Sequence, residues 1–228
     1  MQMIFNRLAV RTAALAVLIA GAAHIPEVAA NDLPEVSYDG LLLNKNNKEL
    51  IVYRDPDARL DAYSKFILIE PTIAFRKHWE RDTRVGGRRV PASEIERIKR
   101  EGAELFMEVF SEELEKDDHY DRVTAPAADA VILRAAVLDL DIAAPDVSST
   151  SRTRSYTTES MRGVLVLEVV DSETGDILVR AIDAKQIRNA GRASLTTSAS
   201  NRADARRAYR EWARILRDAW DTVRTAPR

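Results

Sequence analysis

Residues 164–184, VLVLEVVDSETGDILVRAIDA, decide the fold class of this chain. Two runs rich in valine, leucine and isoleucine, 164–170 and 177–184, flank Asp171-Ser172-Glu173-Thr174-Gly175-Asp176. Such side chains fit a pleated surface, and the glycine supplies the positive φ that a tight connection needs, so the segment reads as an antiparallel hairpin. Upstream, residues 130–142 (AVILRAAVLDLDI) are long and apolar enough for a central strand. That strand closes on the alternation Leu138, Asp139, Leu140, Asp141, Ile142, the pattern of a strand end that reaches water.

Two weaker β signals precede it. Phe66-Ile67-Leu68-Ile69 is apolar on both parities and stops at Glu70-Pro71. It reads as a strand buried on both faces, with the proline, which lacks an N–H, at its end. Leu50-Ile51-Val52-Tyr53, closed by Asp55-Pro56-Asp57, reads as a short edge strand, and residues 31–47 read as a leader that crosses the surface before it.

Two segments carry the helical period instead. Ser93-Glu94-Ile95-Glu96 matches a capping box and predicts a helix start. Ile95, Ile98, Gly102, Leu105, Phe106, Val109, Phe110 and Leu114 then form one apolar stripe, ending near Lys116. From about Asn201 a second stripe runs through Ala205, Ala208, Tyr209, Trp212, Ile215, Leu216, Ala219, Trp220 and Val223. The order β, β, α, β, β, β, α predicts an α+β two-layer sandwich: a largely antiparallel sheet of about five strands with two helices on one face. Residues 143–162 (AAPDVSSTSRTRSYTTESMR) have no apolar period and read as a long polar, mobile loop or an extended hairpin tip.

The first thirty residues point to export. Arg7 and Arg11 precede the apolar run 12–23 (TAALAVLIAGAA), and Val28-Ala29-Ala30 offers small residues at a cleavage position. The run is shorter than the ~20 apolar residues of a comfortable membrane span. The sequence therefore predicts a signal peptide over 1–30, cleaved near Ala30, and one periplasmic α+β domain over 31–228 with no transmembrane span after cleavage. Retention of the apolar segment as an anchor is the alternative.

Composition narrows the chemistry. The chain has 34 basic and 36 acidic residues, a balance that gives no global attraction to nucleic acid. Cysteine is absent, which excludes disulfides, thiol nucleophiles, thiolate metal sites and a lipid-bearing cysteine. His78 and His119 are the histidines beyond the signal, and neither belongs to a two-histidine metal motif. Asp117-Asp118-His119-Tyr120-Asp121 is the most metal-like cluster, but consecutive residues point in different directions, so it reads as a solvated helix end. Asp139 and Asp141 share a strand face, as paired acid and base groups would; strand alternation accounts for them equally. Gly86-Gly87-Arg88-Arg89 lacks P-loop spacing and reads as a surface loop. No cofactor and no catalytic residue is assigned.

Charge is segregated along the chain. The helix after Ser93 carries Glu101, Glu104, Glu108, Glu112 and Glu115, whereas the C-terminal helix carries Arg202, Arg206, Arg210, Arg214 and Arg217 at helical spacing. These stripes can face one another within one chain or between two copies, or the basic stripe can meet an anionic envelope glycolipid. Arg152, Arg154, Tyr156 and Arg162 bring multidentate donors into the polar segment. The candidate partner or anion surface is thus Arg152, Arg154, Tyr156, Arg162, Arg206, Arg210 and Arg214.

The stretch 38–75 (YDGLLLNKNNKELIVYRDPDARLDAYSKFILIEPTIAF), the helix after it, ADAVILRAAVLDLDI and VLEVVDSETGDILVRAIDAK together resemble the bacterial domain of unknown function 3313. The similarity covers roughly Val36 to Val223. It implies an exported protein, lipoprotein-like but without the lipid-bearing cysteine, and it brings no assigned functional residues. These expectations favour a non-enzymatic periplasmic domain that binds or assists a cell-envelope component, such as a protein assembly. The alternatives are a hydrolase or metal-dependent enzyme acting on envelope polymers, and a structural homodimer.

Overall fold

The computed structural model describes residues 33–46, 50–85, 88–142, 155–157, 159–188, 194–196 and 198–225; the predicted signal, cleavage position and Gly86-Gly87 lie outside them. In chain order the elements are β1 (Leu42–Asn46), β2 (Leu50–Arg54), β3 (Lys65–Leu68), β4 (Thr72–Phe75), α1 (Trp79–Asp82), β5 (Arg84–Val85), β6 (Arg88–Arg89) and α2 (Ala92–Leu114). Then follow β7 (Asp121–Arg122), β8 (Ala130–Ile142), β9 (Ser155–Thr157), β10 (Glu159–Asp171), β11 (Ile177–Arg188), β12 (Ser194–Thr196) and α3 (Ser198–Thr225).

The class is α+β, but the main sheet has eight strands rather than five, in the order β1-β2-β11-β10-β8-β3-β7 with β4 also on β8. Pairing from β1 to β8 is antiparallel, whereas β3, β4 and β7 pair parallel. The predicted hairpin is β10–β11, and Gly175 adopts φ 81° in its loop. Asp171 Oδ1 accepts from the N–H groups of Glu173 and Thr174, which pins the turn.

Several expectations are corrected. Leu42 and Leu43 belong to β1, not to a leader, so β2 lies inside the sheet between β1 and β11. β3 buries Phe66 and Leu68 on its helix side, while Ile67 is only half-buried and Ile69 is exposed, because the helices α2 and α3 pack on one face. The chain then breaks at Glu70-Pro71 and resumes along β8 as β4, an element absent from the sequence reading. A proline cannot donate to the ladder, so one strand line becomes two. The helix start is set by Pro91, whose carbonyl accepts from Glu94 and Ile95; Ser93 lies inside the first turn and provides no cap. α3 begins at Ser198, three residues before the predicted Asn201. The polar segment is not all loop: Ser155–Thr157 pairs with Ser194–Thr196, and residues 159–162 extend β10.

The core sits between the sheet and α2 with α3. Leu133, Ala135 and Val137 of β8, Leu165, Leu167 and Val169 of β10, and Phe66 and Leu68 of β3 meet Phe106, Val109 and Phe110 of α2 and Tyr209, Trp212 and Trp220 of α3. On the opposite sheet face the register aligns Arg134, Glu168 and Arg180 in one row. Glu168 accepts from Arg134 at 2.8 Å and from Arg180 Nε at 2.9 Å, and Arg180 also clamps Asp39. This row fixes the segment before β1 onto the sheet.

Asp39 titrates accordingly. Hydrogen bonds from Arg180 lead, opposed by burial and aided by Ser37, and they lower its pKa from 3.8 to about 2. A depressed carboxylate pKa contributes stability above its unfolded value and loses it as pH falls through the folded one. Asp39→Asn is therefore expected to lower the melting temperature near neutral pH and to converge with the wild type between about pH 4 and pH 2, measured by thermal denaturation across that range.

Candidate functional site

The two long helices lie side by side, running in the same direction, and an aromatic seam closes the gap between them. Phe106 meets Tyr209 edge-on at 5.3 Å and stacks on Phe110 at 3.9 Å, and Tyr209 neighbours Trp212 at 5.9 Å. Trp212 Nε1–H donates to buried Asp183 of β11 at 2.8 Å, tying α3 to the sheet. Towards the helix C-termini, Tyr120 stacks on Trp220 at 4.2 Å and donates to Asp221 at 2.6 Å. Beyond Tyr209, towards the helix N-termini, the aromatics stop and smaller side chains follow: Ile98, Gly102 and Leu105 on α2, Asn201 and Ala205 on α3.

A cavity of about 350 Å³ opens there. Its sheet side is formed by Ile73 of β4, Leu140 and Ile142 of β8 and Met161 of β10. The volume falls in the range of small-molecule sites, and the lining is chiefly aliphatic. Two local features make the space. Asp139 adopts φ 49°, and both neighbouring strands shift register across residues 138–140, so β8 carries a bulge. A bulge bends its strand and re-aims side chains, and here it returns Leu140 to the helix face one residue out of step with Val137. Gly102 permits the second: a Cβ there would lie 2.8 Å from the terminal methyl of Ile73.

The polar groups are unevenly placed. Tyr209 is 3% exposed, and its hydroxyl has no hydrogen-bond partner among the described residues. Burial raises its pKa, so the group is a phenol O–H at ordinary pH. Arg97, Glu101 and Arg202 stand around the other end of the cavity. Arg97 is engaged by Glu94 and Glu101, which raise its pKa, whereas Arg202 is about half exposed and only 3.9 Å from Glu108.

The structure distributes the sequence-derived candidates as follows. Arg206 pairs with Glu108 at 2.6 Å and approaches Glu112 at 3.7 Å. Arg214 lies 3.9 Å from Glu113, which Arg217 holds at 2.7 Å, so the acidic and basic helices answer each other within one chain. Arg210 is exposed, with no ion partner among the described residues. Arg162 sits in β10, 3.3 Å from Asp141, and Tyr156 lies in β9; Arg152 and Arg154 fall outside the described residues. Asp141 also accepts from Arg76 Nε at 2.8 Å, and the left-handed Asp139 breaks the shared face that a carboxylate pair would need. His119 lies 3.4 Å from Asp221, and no group of three metal-ligating side chains occurs among the described residues.

A second hollow of about 570 Å³ lies beside buried Trp79, among Arg76, His78, Arg81, Arg89 and Lys99. Most of its cations are engaged: Arg76 and Arg81 by Asp82, Lys99 by Glu96. The apolar cavity is the better-formed site. Sequence reasoning placed Gly102, Ala205 and Tyr209 on helix stripes but missed that small residues at 102 and 205 leave space in front of the tyrosine. The signal was present in part, in a glycine within the otherwise bulky α2 stripe and an alanine in the α3 stripe.

Comparison with known proteins gives a family and little else. The family described as protein of unknown function, DUF3313, matches residues 31–216. No curated protein matches the chain. Among solved structures, the PelC dodecamer from Paraburkholderia phytofirmans is similar at 12% identity, covering 78% of this chain and 99% of that one, with a TM-score of 0.36. A candidate lipoprotein from Caulobacter crescentus gives 13% identity, 72% and 90% coverage and a TM-score of 0.37. A DUF4136 family protein from Bacteroides thetaiotaomicron gives 12%, 77% and 96%, and 0.35. Scores this low define neither the fold nor the function of the chain.

The helix-to-helix ion pairs are partly exposed, and such pairs contribute about 0.2–1 kcal/mol. A double-mutant cycle with Arg206→Ala and Glu108→Ala, followed by urea denaturation, is expected to return a coupling in that range that shrinks in high salt.

Proposed function

This chain belongs to the DUF3313 family, and on that footing we propose that it is an exported, non-enzymatic cell-envelope protein that binds a small, largely apolar molecule between its helices and its sheet. The observation that carries the reading is the aliphatic cavity with the Tyr209 phenol in its wall. The hollow is concave, chiefly apolar and open beside Arg97 and Arg202, as small-molecule sites commonly are. Export is supported by the charged, then apolar, then small-residue pattern of residues 1–30 and by the family resemblance. The described helices include none long and apolar enough to cross a membrane.

The enzymatic alternative has little to build on. Asp141, the carboxylate it would need, is held by Arg76 and Arg162. The homodimer reading rested on complementary helix charges, which pair within one chain. A second reading is favoured by one observation, the exposed Arg210 of α3: a basic helix face there would contact an envelope protein assembly or an anionic glycolipid.

Titration with fluorescent 2-naphthol tests the cavity reading. The purified protein should show one saturable site, and Ala205→Phe or Ile98→Trp, each filling the cavity, should abolish it while circular dichroism and melting show a folded chain. A wild type that binds nothing, or folded variants that bind as well as wild type, would refute the reading.

A further inference from the structure

Three features of the cavity, taken together, specify a ligand. The first is size. The hollow measures about 350 Å³, towards the small end of small-molecule sites. The second is polarity along the length. Ile98, Leu105, Leu140, Ile142 and Met161 offer only carbon and sulfur to an occupant, so its body must be apolar. The third is the placement of the groups that can hold oxygen: Arg97, Asn201 and Arg202 towards the helix N-termini, and the Tyr209 hydroxyl at the aromatic seam.

Arg202 and Tyr209 both stand on α3, seven residues apart, which sets their Cα atoms about 10 Å apart along the axis at ~1.5 Å per residue. An extended ten-carbon chain, with bonds of ~1.5 Å, covers about the same span. Arg202 is the mouth cation with the weakest existing pair, at 3.9 Å, so an incoming anion displaces little to reach it. Tyr209 is buried as a residue, and its hydroxyl lines the cavity beside Gly102 and donates to nothing among the described residues. An occupant that covers this donor without accepting from it leaves it unmade, so the site discriminates between ligands that accept from it and ligands that do not.

We propose that the cavity takes a medium-chain carboxylate that carries a hydrogen-bond-accepting oxygen near the far end of its chain, with the carboxylate at Arg202, the chain against the aliphatic walls and the distal oxygen accepting from Tyr209. The inference rests on the cavity reading above and adds the chemistry of the occupant. No bond is made or broken; the protein holds the molecule and keeps its chain from water. An unsubstituted acid of the same length leaves the phenol unpaired, and one much longer than the cavity cannot enter whole.

Isothermal titration of the purified protein with 10-hydroxydecanoate, decanoate and hexadecanoate tests this. The hydroxy acid should bind about tenfold more tightly than decanoate, and hexadecanoate more weakly than either. Tyr209→Phe keeps the ring and the Phe106 contact, and it should erase the tenfold gap between the two ten-carbon acids. Arg202→Gln should weaken both ten-carbon acids by the same factor. Equal binding of the two ten-carbon acids, or a gap that survives in Tyr209→Phe, overturns the inference. If 2-naphthol binds in the cavity and neither ten-carbon acid does, the carboxylate assignment alone fails; if nothing binds, the cavity reading fails with it.

Discussion

The edge-on contact between Phe106 and Tyr209 is the interaction on which the rest of the molecule turns. Aromatic pairs of this geometry add to the burial of both rings, and here they fix how closely α2 and α3 approach over the sheet. On one side of the contact the helices are sealed by Phe110, Trp212, Tyr120 and Trp220, with Asp183 and Leu60 accepting from the two indole N–H groups. On the other side nothing large follows, and the helices leave a hollow. Tyr209 belongs to both regions: its ring completes the seam and its hydroxyl faces the empty end. That double membership is why the residue that completes the seam also marks the site.

The sheet shapes the hollow from below. β8 joins the two kinds of pairing in the sheet, antiparallel with β10 on one side and parallel with β3 and β4 on the other. Both neighbours register its bulge, so the distortion belongs to β8 itself. Past that point Leu140 and Ile142 reach the helix side beside Met161, at the level where α2 has a glycine and α3 an alanine. Away from this layer, the Arg134, Glu168, Arg180 and Asp39 row secures the opposite face. Breaking one member would strand charges that are largely withdrawn from water, and its connection to Asp39 holds the entry segment in place.

Much of this was legible in the chain. The β10–β11 hairpin, the long β8 and both amphipathic helices follow from period and turn residues, because each is decided by local contacts and by one buried face. What escaped was decided at longer range. β4 is four residues long and exists because β8 offers a second stretch of edge beyond Pro71. The Pro91 carbonyl outcompetes Ser93 as the helix start because the proline has already set the backbone. The Asp139 bulge hides inside an alternation that looks regular, since a left-handed aspartate leaves no mark in a hydropathy pattern. The site was legible only as a face: Gly102, Ala205 and Tyr209 appeared as stripe members, and the space between them depends on how two helices and a bent strand meet. The charge stripes were legible as complementary, and the structure pairs Arg206, Arg214 and Arg217 with α2 rather than with a ligand.

The central claim is that the space in front of Tyr209 is a ligand site and not a packing defect. Methyl-resolved nuclear magnetic resonance of the isoleucine, leucine and methionine side chains during titration with 10-hydroxydecanoate tests it most directly. The account predicts saturable shifts concentrated on Ile73, Ile98, Leu105, Leu140, Ile142 and Met161, with Leu68, Leu114 and Leu133 of the sealed core unmoved. Shifts spread evenly over the surface, or centred away from those six residues, would contradict it.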